Sequence, residues 1–295
     1  MNTIITIIIP TYNRSGLIIK TLESIIGQSF VSWECIVVDD HSTDDTKAVV
    51  NEIMERDSRI SYCINERKKG AQGARNTGLY KAKTDWVIFF DSDNIMHPDL
   101  LEELVAKISD GIDVVCCFSR IVDADKGFTG RFFDWINDGN IHDRLFMGPC
   151  YVDYNHAIIR KSQLFEIGGL DEDCPSMQEW DTHIRLSQKA NYITVRKALV
   201  DYYVGGKDAI STDNKREIIG RFYILRKHHT EWKNHKDGYV RFVSFILQLI
   251  KSNPNISFRR SALTKLYIYA PDAFVLMLKA RIMCRLRILF KRLCL

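Results

Sequence analysis

Residues 86–94 read WVIFFDSDN. Five apolar residues run directly into two carboxylates one position apart, Asp91 and Asp93. A short β-rich run of this kind predicts a strand buried on both faces, as in a parallel sheet covered by helices. Like charges at the end of such a strand repel, and an apolar strand is a poor place to solvate them, so a compensating partner is expected.

The same pattern repeats on either side. Strand-like runs at 4–9, 33–38, 60–64, 86–90 and 114–118 alternate with helical periodicity at 17–26, 46–56, 71–82 and 98–108. Strands alternating with helices predict an α/β fold, a mostly parallel central sheet flanked by helices and built from right-handed crossovers. In such sheets ligands bind beyond the carboxyl ends of the strands. Those ends carry Pro10-Thr11-Tyr12-Asn13, Asp39-Asp40-His41-Ser42, Asn65-Glu66-Arg67 and Asp91-Ser92-Asp93.

Residues 123–204 are less regular, with a strand-like 155–160 and a helix over about 177–189; 213–295 are mostly helical in pattern, broken at Asn253-Pro254-Asn255 and at Pro271. The expected organisation is one domain over 1–212, in two halves at 1–118 and 119–212, followed by a helical C-terminal extension at 213–295.

The formal charge is +4 over 295 residues. It is unevenly spread, because after Lys251 the chain carries many Lys and Arg and a single acid, Asp272. No stretch reaches the roughly 18–20 uncharged apolar residues that span a bilayer. Residues 1–9 lack the basic start and cleavage site of a secretory signal. The eight cysteines form no C-x-x-C pair. Together these predict a reduced, cytoplasmic protein.

The first strand is followed by PTYNRSG, without the G-x-G-x-x-G turn, and no G-x-x-x-x-G-K-[ST] occurs, which argues against dinucleotide enzymes and P-loop NTPases. Two carboxylates at i and i+2 of an extended segment share a face, where they could hold Mn²⁺ or Mg²⁺ together with substrate phosphates. The plainer reading is an Asx-turn and the start of the helix entered at Pro98.

Six segments now line up: TIIIPTYNR (6–14), VVDDHSTDDT (37–46), GAQGARNTGL (70–79), FFDSDN (89–94), GGLDE (168–172) and QEWDTHIRLS (178–187). Their order resembles the family 2 inverting glycosyltransferases, which have the glycosyltransferase-A fold. The likeness fades after about residue 211. It implies a nucleotide-sugar site of Pro10, Thr11, Tyr12, Asp39, Asp40, Arg75, Asp91 and Ser92, with Asp40 accepting from uracil N3 and Asp39 orienting the turn. It further implies that Asp93, with Asp91 toward the ribose, ligates the Mn²⁺ or Mg²⁺ that bridges the diphosphate.

Transfer with inversion needs a base for the acceptor hydroxyl and a cation for the leaving diphosphate. The family's base position corresponds to Glu179, where Asp is commoner; Asp181 is the rival. Helical spacing points these two in different directions. Glu179 could instead close a capping box with Ser176, Asp39, Asp40 and Ser42 could be helix caps, and Arg75 a solvated helix side chain. His183, Trp180 and Trp135 read as packing residues, and Ser211 as part of a segment over the diphosphate.

Residues 272–295 combine an apolar face with Lys279, Arg281, Arg285, Arg287, Lys291 and Arg292, the composition of a helix lying on an anionic leaflet. Cations interleaved with aliphatic residues argue against nucleic acid as a partner. The resulting expectation is a UDP-sugar hexosyltransferase (galactose or glucose) of O-antigen or capsule synthesis. It would act on an undecaprenyl-diphosphate-linked saccharide, peripheral on the inner face of the cell membrane. The competing readings are a sugar nucleotidyltransferase and a non-catalytic nucleotide-sugar-binding protein.

Overall fold

The computed structural model describes residues 4–147, 152–205 and 214–276. Ser211 and most of the basic tail, 277–295, lie outside them. Among the described residues the strands are β1 Ile5–Thr11, β2 Trp33–Asp39, β3 Ile60–Ile64, β4 Trp86–Phe89, β5 Ile95–Met96, β6 Val114–Asp123, β7 Gly127–Phe133, β8 Ala157–Arg160 and β9 Tyr192–Val204. The helices are α1 Ile18–Ile26, α2 Thr46–Arg56, α3 Ala71–Lys81, α4 Leu100–Val105, α5 His142–Met147, α6 Lys161–Glu166, α7 Gln178–Leu186, α8 Asn214–Lys227, α9 His229–Asn234, α10 Lys236–Ser252 and α11 Ile256–Tyr269.

The strands form one sheet in the order β3-β2-β1-β4-β8-β6-β9-β5, with β7 paired to β6. β1, β2, β3 and β4 are parallel neighbours, and β6 runs parallel to β9. β8 is inserted antiparallel between β4 and β6, and β5 and β7 are antiparallel to their partners. β1 lies in the middle, with Ile5 in register with both Trp33 and Trp86, and every one of its residues is buried. Ile5, Ile7 and Ile9 pack in one core with Ile18, Leu22 and Ile25 of α1; each such side chain contributes about 1.5–3 kcal/mol by burial.

α3 rides unusually close to this sheet. A Cβ on its Gly78 would stand 2.4 Å from Ile8 Cγ2, so only glycine lets the helix sit there. That approach carries Arg75 of the same helix down to the sheet's ligand edge.

Two compact units are present. The first contains the sheet and, among the described residues, spans 4–142, 152–173 and 178–205. The second comprises 143–147, 174–177 and 214–276, so two short stretches from the middle of the chain join the C-terminal helices. Its core is aromatic: the Trp232 ring stacks on Phe242 at 4.4 Å and meets Phe146 edge-on at 4.9 Å. The break after α10 is set by Asn255, whose side chain accepts from Phe258 N–H at 2.9 Å and caps α11.

Candidate active site

The turns after β1 and β2 are tied together. Asn13 N–H donates to Ser42 Oγ at 2.8 Å, and Thr43 N–H donates back to Asn13 Oδ1 at 2.8 Å. Asn13 (φ 52°) and His41 (φ 67°) adopt left-handed backbone to make this fit, a strain typical of functional turns. Asp39 is buried; its Oδ1 accepts from Ser42 N–H at 2.7 Å and its Oδ2 from the Tyr62 hydroxyl at 2.6 Å. Asp40 accepts from Asn65 Nδ2 at 2.7 Å and from Gly70 N–H at 2.8 Å, at the start of α3, where the helix dipole favours a negative charge. Neither caps α2: its first amide is served by Asp44, whose Oδ1 accepts from Thr46 N–H at 3.0 Å. Pro10 and Thr11 are buried within β1, and Thr11 Oγ1 has no protein partner. Tyr12 is exposed, with the Lys69 ammonium 5.2 Å from its ring centroid.

The second carboxylate pair departs from the extended geometry expected for it. β4 stops at Phe89, and residues 91–94 form a turn in which Asn94 N–H approaches Asp91 O at 3.4 Å. Alternation of sides along a strand therefore does not govern Asp91 and Asp93. Asp91 Oδ1 accepts from Arg75 Nη2 at 2.6 Å, and its Oδ2 from Asn155 Nδ2 at 2.8 Å; its own N–H donates to Asn155 Oδ1 at 2.7 Å. Arg75 is buried, against the expectation of a solvated side chain, and its guanidinium lies 4.9 Å from the Tyr154 ring centroid. Ser92 is buried. The Asp93 carboxylate takes no bond from another side chain among the described residues.

Asn155 Nδ2 also donates to Asp153 Oδ1 at 2.7 Å. Asp153 is held by a reciprocal cap with His156, whose Nε2 accepts Asp153 N–H at 2.9 Å. The His156 proton is thereby on Nδ1, which donates to Ser119 Oγ at 2.9 Å. Burial pushes His156 down to about 4.

Four carboxylates share this field. Burial, then the Asp91 charge, raises Asp93 to about 6 and Asp153 to about 6. Burial, then the Asp153 charge, raises Glu179 to about 7. The phenol of Tyr202 on β9 is held well above its ordinary range, first by Asp153 and then by burial. Among the described residues Arg75 is the buried cation facing these four carboxylates, and the Arg14 charge also acts on Asp93.

Glu179 stands at the start of α7, after Met177 in left-handed backbone (φ 60°). The capping-box bonds between Ser176 and Glu179 are not made, and Ser176 Oγ donates to Arg216 O at 2.8 Å. Asp181 is fully buried and paired with Arg185 Nε at 2.9 Å, while Arg185 Nη1 holds the carbonyls of Ile167 and Gly169 at 2.8 Å. Asp181 is therefore committed to the fold and is withdrawn as a base. Trp180 and His183 are buried packing residues, with His183 Nδ1 3.0 Å from the Tyr192 hydroxyl. Trp135 is 48% exposed, so the burial expected for it does not hold.

Asp153, Asn155 and Tyr202 were not among the residues singled out by sequence. No spacing marks them, since they come from a short loop and a late strand that only folding brings to Asp91. The GGLDE segment is legible: Asn76 Nδ2 donates to Leu170 O at 2.8 Å and to Glu172 Oε1 at 2.7 Å, and Leu170 N–H returns a bond to Asn76 Oδ1 at 2.9 Å. Gly169 (φ +80°) permits this approach, since a Cβ there would lie 3.0 Å from Asn76 Oδ1.

Among the described residues no three His, Cys, Asp or Glu side chains gather tightly enough to hold a metal ion by themselves. A divalent cation completed by diphosphate oxygens fits better. Mg²⁺ commonly takes one or two carboxylates and leaves the rest to phosphate and water, and the Asp93 carboxylate takes no bond from another side chain among the described residues.

Comparison with known proteins agrees with this architecture. Residues 6–166 match the family described as "Glycosyl transferase family 2". The chain is 44% identical over 232 residues to the UDP-Glc:alpha-D-GlcNAc-diphosphoundecaprenol beta-1,3-glucosyltransferase WfaP of Escherichia coli, covering 76% of this chain and 86% of that protein. It is 33% identical over 164 residues to the GalNAc(5)-diNAcBac-PP-undecaprenol beta-1,3-glucosyltransferase of Campylobacter jejuni. That match covers 54% of this chain and spans about half, 52%, of the relative. Among solved structures, the mannosyltransferase PcManGT from Pyrobaculum calidifontis in complex with GDP-Man and Mn²⁺ superposes with a TM-score of 0.67 at 19% identity, over 96% of this chain and 81% of that one. At that identity the likeness speaks for the fold.

Proposed function

Because the chain belongs to glycosyl transferase family 2, we propose that it is a metal-dependent inverting hexosyltransferase of surface-polysaccharide synthesis. It moves glucose or galactose from a UDP-sugar to a hydroxyl of an undecaprenyl-diphosphate-linked saccharide, forming a β linkage. The names of the relatives favour glucose and a 1,3 linkage. The observation that carries the reading is the carboxylate cluster itself: Asp93, whose carboxylate takes no bond from another side chain among the described residues, and Glu179, held at about 7 by burial and then by the Asp153 charge.

Each residue has a task in this reading. Asp39 fixes the turn that presents Asp40 to the uracil, and Thr11 and Tyr12 border the base. Arg75 and Asn155 clamp Asp91, which sets the turn that offers Asp93 to Mn²⁺ or Mg²⁺. When bound, that cation neutralises the charge developing on the leaving diphosphate. Glu179 takes the acceptor's proton; a base with a pKa near the working pH combines a useful ionised fraction with enough basicity. Burial, and then the Asp153 charge, keeps Glu179 from becoming too acidic.

The test is to supply purified protein with UDP-glucose, UDP-galactose and their N-acetyl counterparts, together with an undecaprenyl-diphosphate GlcNAc acceptor, and to determine the product linkage by NMR. A β-linked hexose formed only with Mn²⁺ or Mg²⁺ is expected. An α-linked product, or full turnover in EDTA, overturns the mechanism.

A further inference from the structure

α11 is a 14-residue helix that buries only Ala262 and Leu266. Ile256 is 58% exposed, Leu263 39%, Tyr267 63% and Ile268 64%. At about 100° per residue, positions 256, 263 and 267 fall within about 40° of one another, with Arg260 beside them. These three form a narrow apolar strip on the flank of the helix, roughly 60–140° round from the buried Ala262 and Leu266.

The charge around the strip has one sign. Residues 251–271 contain Lys251, Arg259, Arg260 and Lys265 and no Asp or Glu. Among the described residues none of Arg259, Arg260 and Lys265 is ion-paired. Soluble surfaces scatter apolar side chains singly, and a grouped patch marks a partner. Aliphatic side chains and a tyrosine ringed by unpaired cations match the boundary of an anionic bilayer, where apolar groups enter the acyl edge and cations meet lipid phosphates. The chain beyond the described residues continues the theme, since 277–295 add six cations and no acid.

We propose that α11 is a membrane-docking helix that seats Ile256, Leu263 and Tyr267 in an anionic leaflet, with Arg259 and Arg260, which flank this strip, on the lipid phosphates. The anchor is thus a named face of a folded helix in addition to the basic tail. Only its purpose, meeting a lipid-linked acceptor, rests on the function proposed above.

The experiment is co-flotation of the full-length protein with phosphatidylcholine vesicles, with and without phosphatidylglycerol. Wild type is expected to float only with the anionic vesicles and to be released by salt. Leu263→Glu/Tyr267→Glu should lower the bound fraction about tenfold or more, and Arg259→Gln/Arg260→Gln by a similar factor, given the contribution of each surface cation. Thermal melts and turnover on a water-soluble acceptor analogue, both expected to match wild type, confirm that the variants are folded. Wild-type binding by both variants, with loss only when the cations of 279–292 are neutralised, overturns the proposal in favour of the tail alone. It is equally overturned if light scattering shows a wild-type dimer that the Leu263→Glu/Tyr267→Glu variant dissociates. Failure of transfer by wild type would refute the proposed activity and leave the flotation result standing.

Discussion

Two strands of the same sheet each end in a pair of aspartates, and the molecule treats the pairs differently. At the end of β2, Asp39 and Asp40 are each met by two donors, Ser42 N–H and Tyr62 Oη for one, Asn65 Nδ2 and Gly70 N–H for the other. At the end of β4 only Asp91 is so served, by Arg75 and Asn155. Asp93 takes no bond from another side chain among the described residues, and burial, then the Asp91 charge, holds it at about 6. A satisfied carboxylate stabilises the folded chain, whereas an unsatisfied one costs stability and stores affinity for an incoming positive charge. The β2 pair thus ties its turn into the fold, while at the end of β4 it is Asp93, with Glu179, whose charge the proposed chemistry would draw on.

The contrast breaks most visibly at the base. Glu179→Gln should lower transfer about 10²–10⁴-fold, the usual yield of general base catalysis, while UDP binding measured by calorimetry stays within about twofold of wild type. Near-normal UDP release by this variant would remove Glu179 from the mechanism. Asp93→Asn comes next: turnover should fall about 10²–10³-fold, as when one electrostatic stabiliser of a transition state is removed, and donor binding should lose its dependence on Mn²⁺. If added metal still tightens UDP binding by the wild-type factor, the cation sits elsewhere.

The β2 pair and its surroundings were the legible part of the molecule. Predicted strands at 33–38 and 60–64 and the helix at 46–56 match Trp33–Asp39, Ile60–Ile64 and Thr46–Arg56 almost residue for residue. Each is a short β-rich run, buried throughout most of Trp33–Asp39, or a clear helical period, bounded by turn residues. The acceptor side was harder for definite reasons. β9 carries exposed Arg196 and Lys197 in its middle, where its register with β6 shifts, so neither alternation nor a continuous apolar run survives. β7 is exposed along nearly its whole length and offers no buried face to recognise. Asp153 and Asn155 act through contacts to Asp91, more than sixty residues earlier, and nothing local distinguishes them from ordinary loop residues.

Asp181 sharpens the comparison from the side of the fold. It lies two residues from the proposed base yet is paired and sealed, so its loss should act on stability. Asp181→Ala leaves Arg185 partly buried with its charge unmet, which should cost about 3 kcal/mol and lower Tm measured by calorimetry. The folded fraction should retain most of its turnover. A variant that melts normally but cannot transfer would restore Asp181 as the base.

The smallest effect tests the stored charge directly. Glu179 is raised in the folded state from 4.5 to about 7, so between those values the folded protein binds more protons than the unfolded chain. Its contribution is fully present below about pH 4.5 and is lost as pH rises through 7. His156, lowered to about 4, and His183, lowered to about 3, act in the opposite sense and lose their contribution as pH falls below 6.5. The overall pH profile therefore mixes signs, and the informative quantity is the difference between wild type and Glu179→Gln. Gln mimics the protonated acid, so the two should melt together near pH 5. At pH 8 the ligand-free variant should be the more stable, by about 1 kcal/mol after solvent screening of this partly exposed group, or about 2–4 °C. The variant that has lost catalysis would then be the more stable protein. Equal melting temperatures at both pH values would mean that the cluster stores no charge at Glu179.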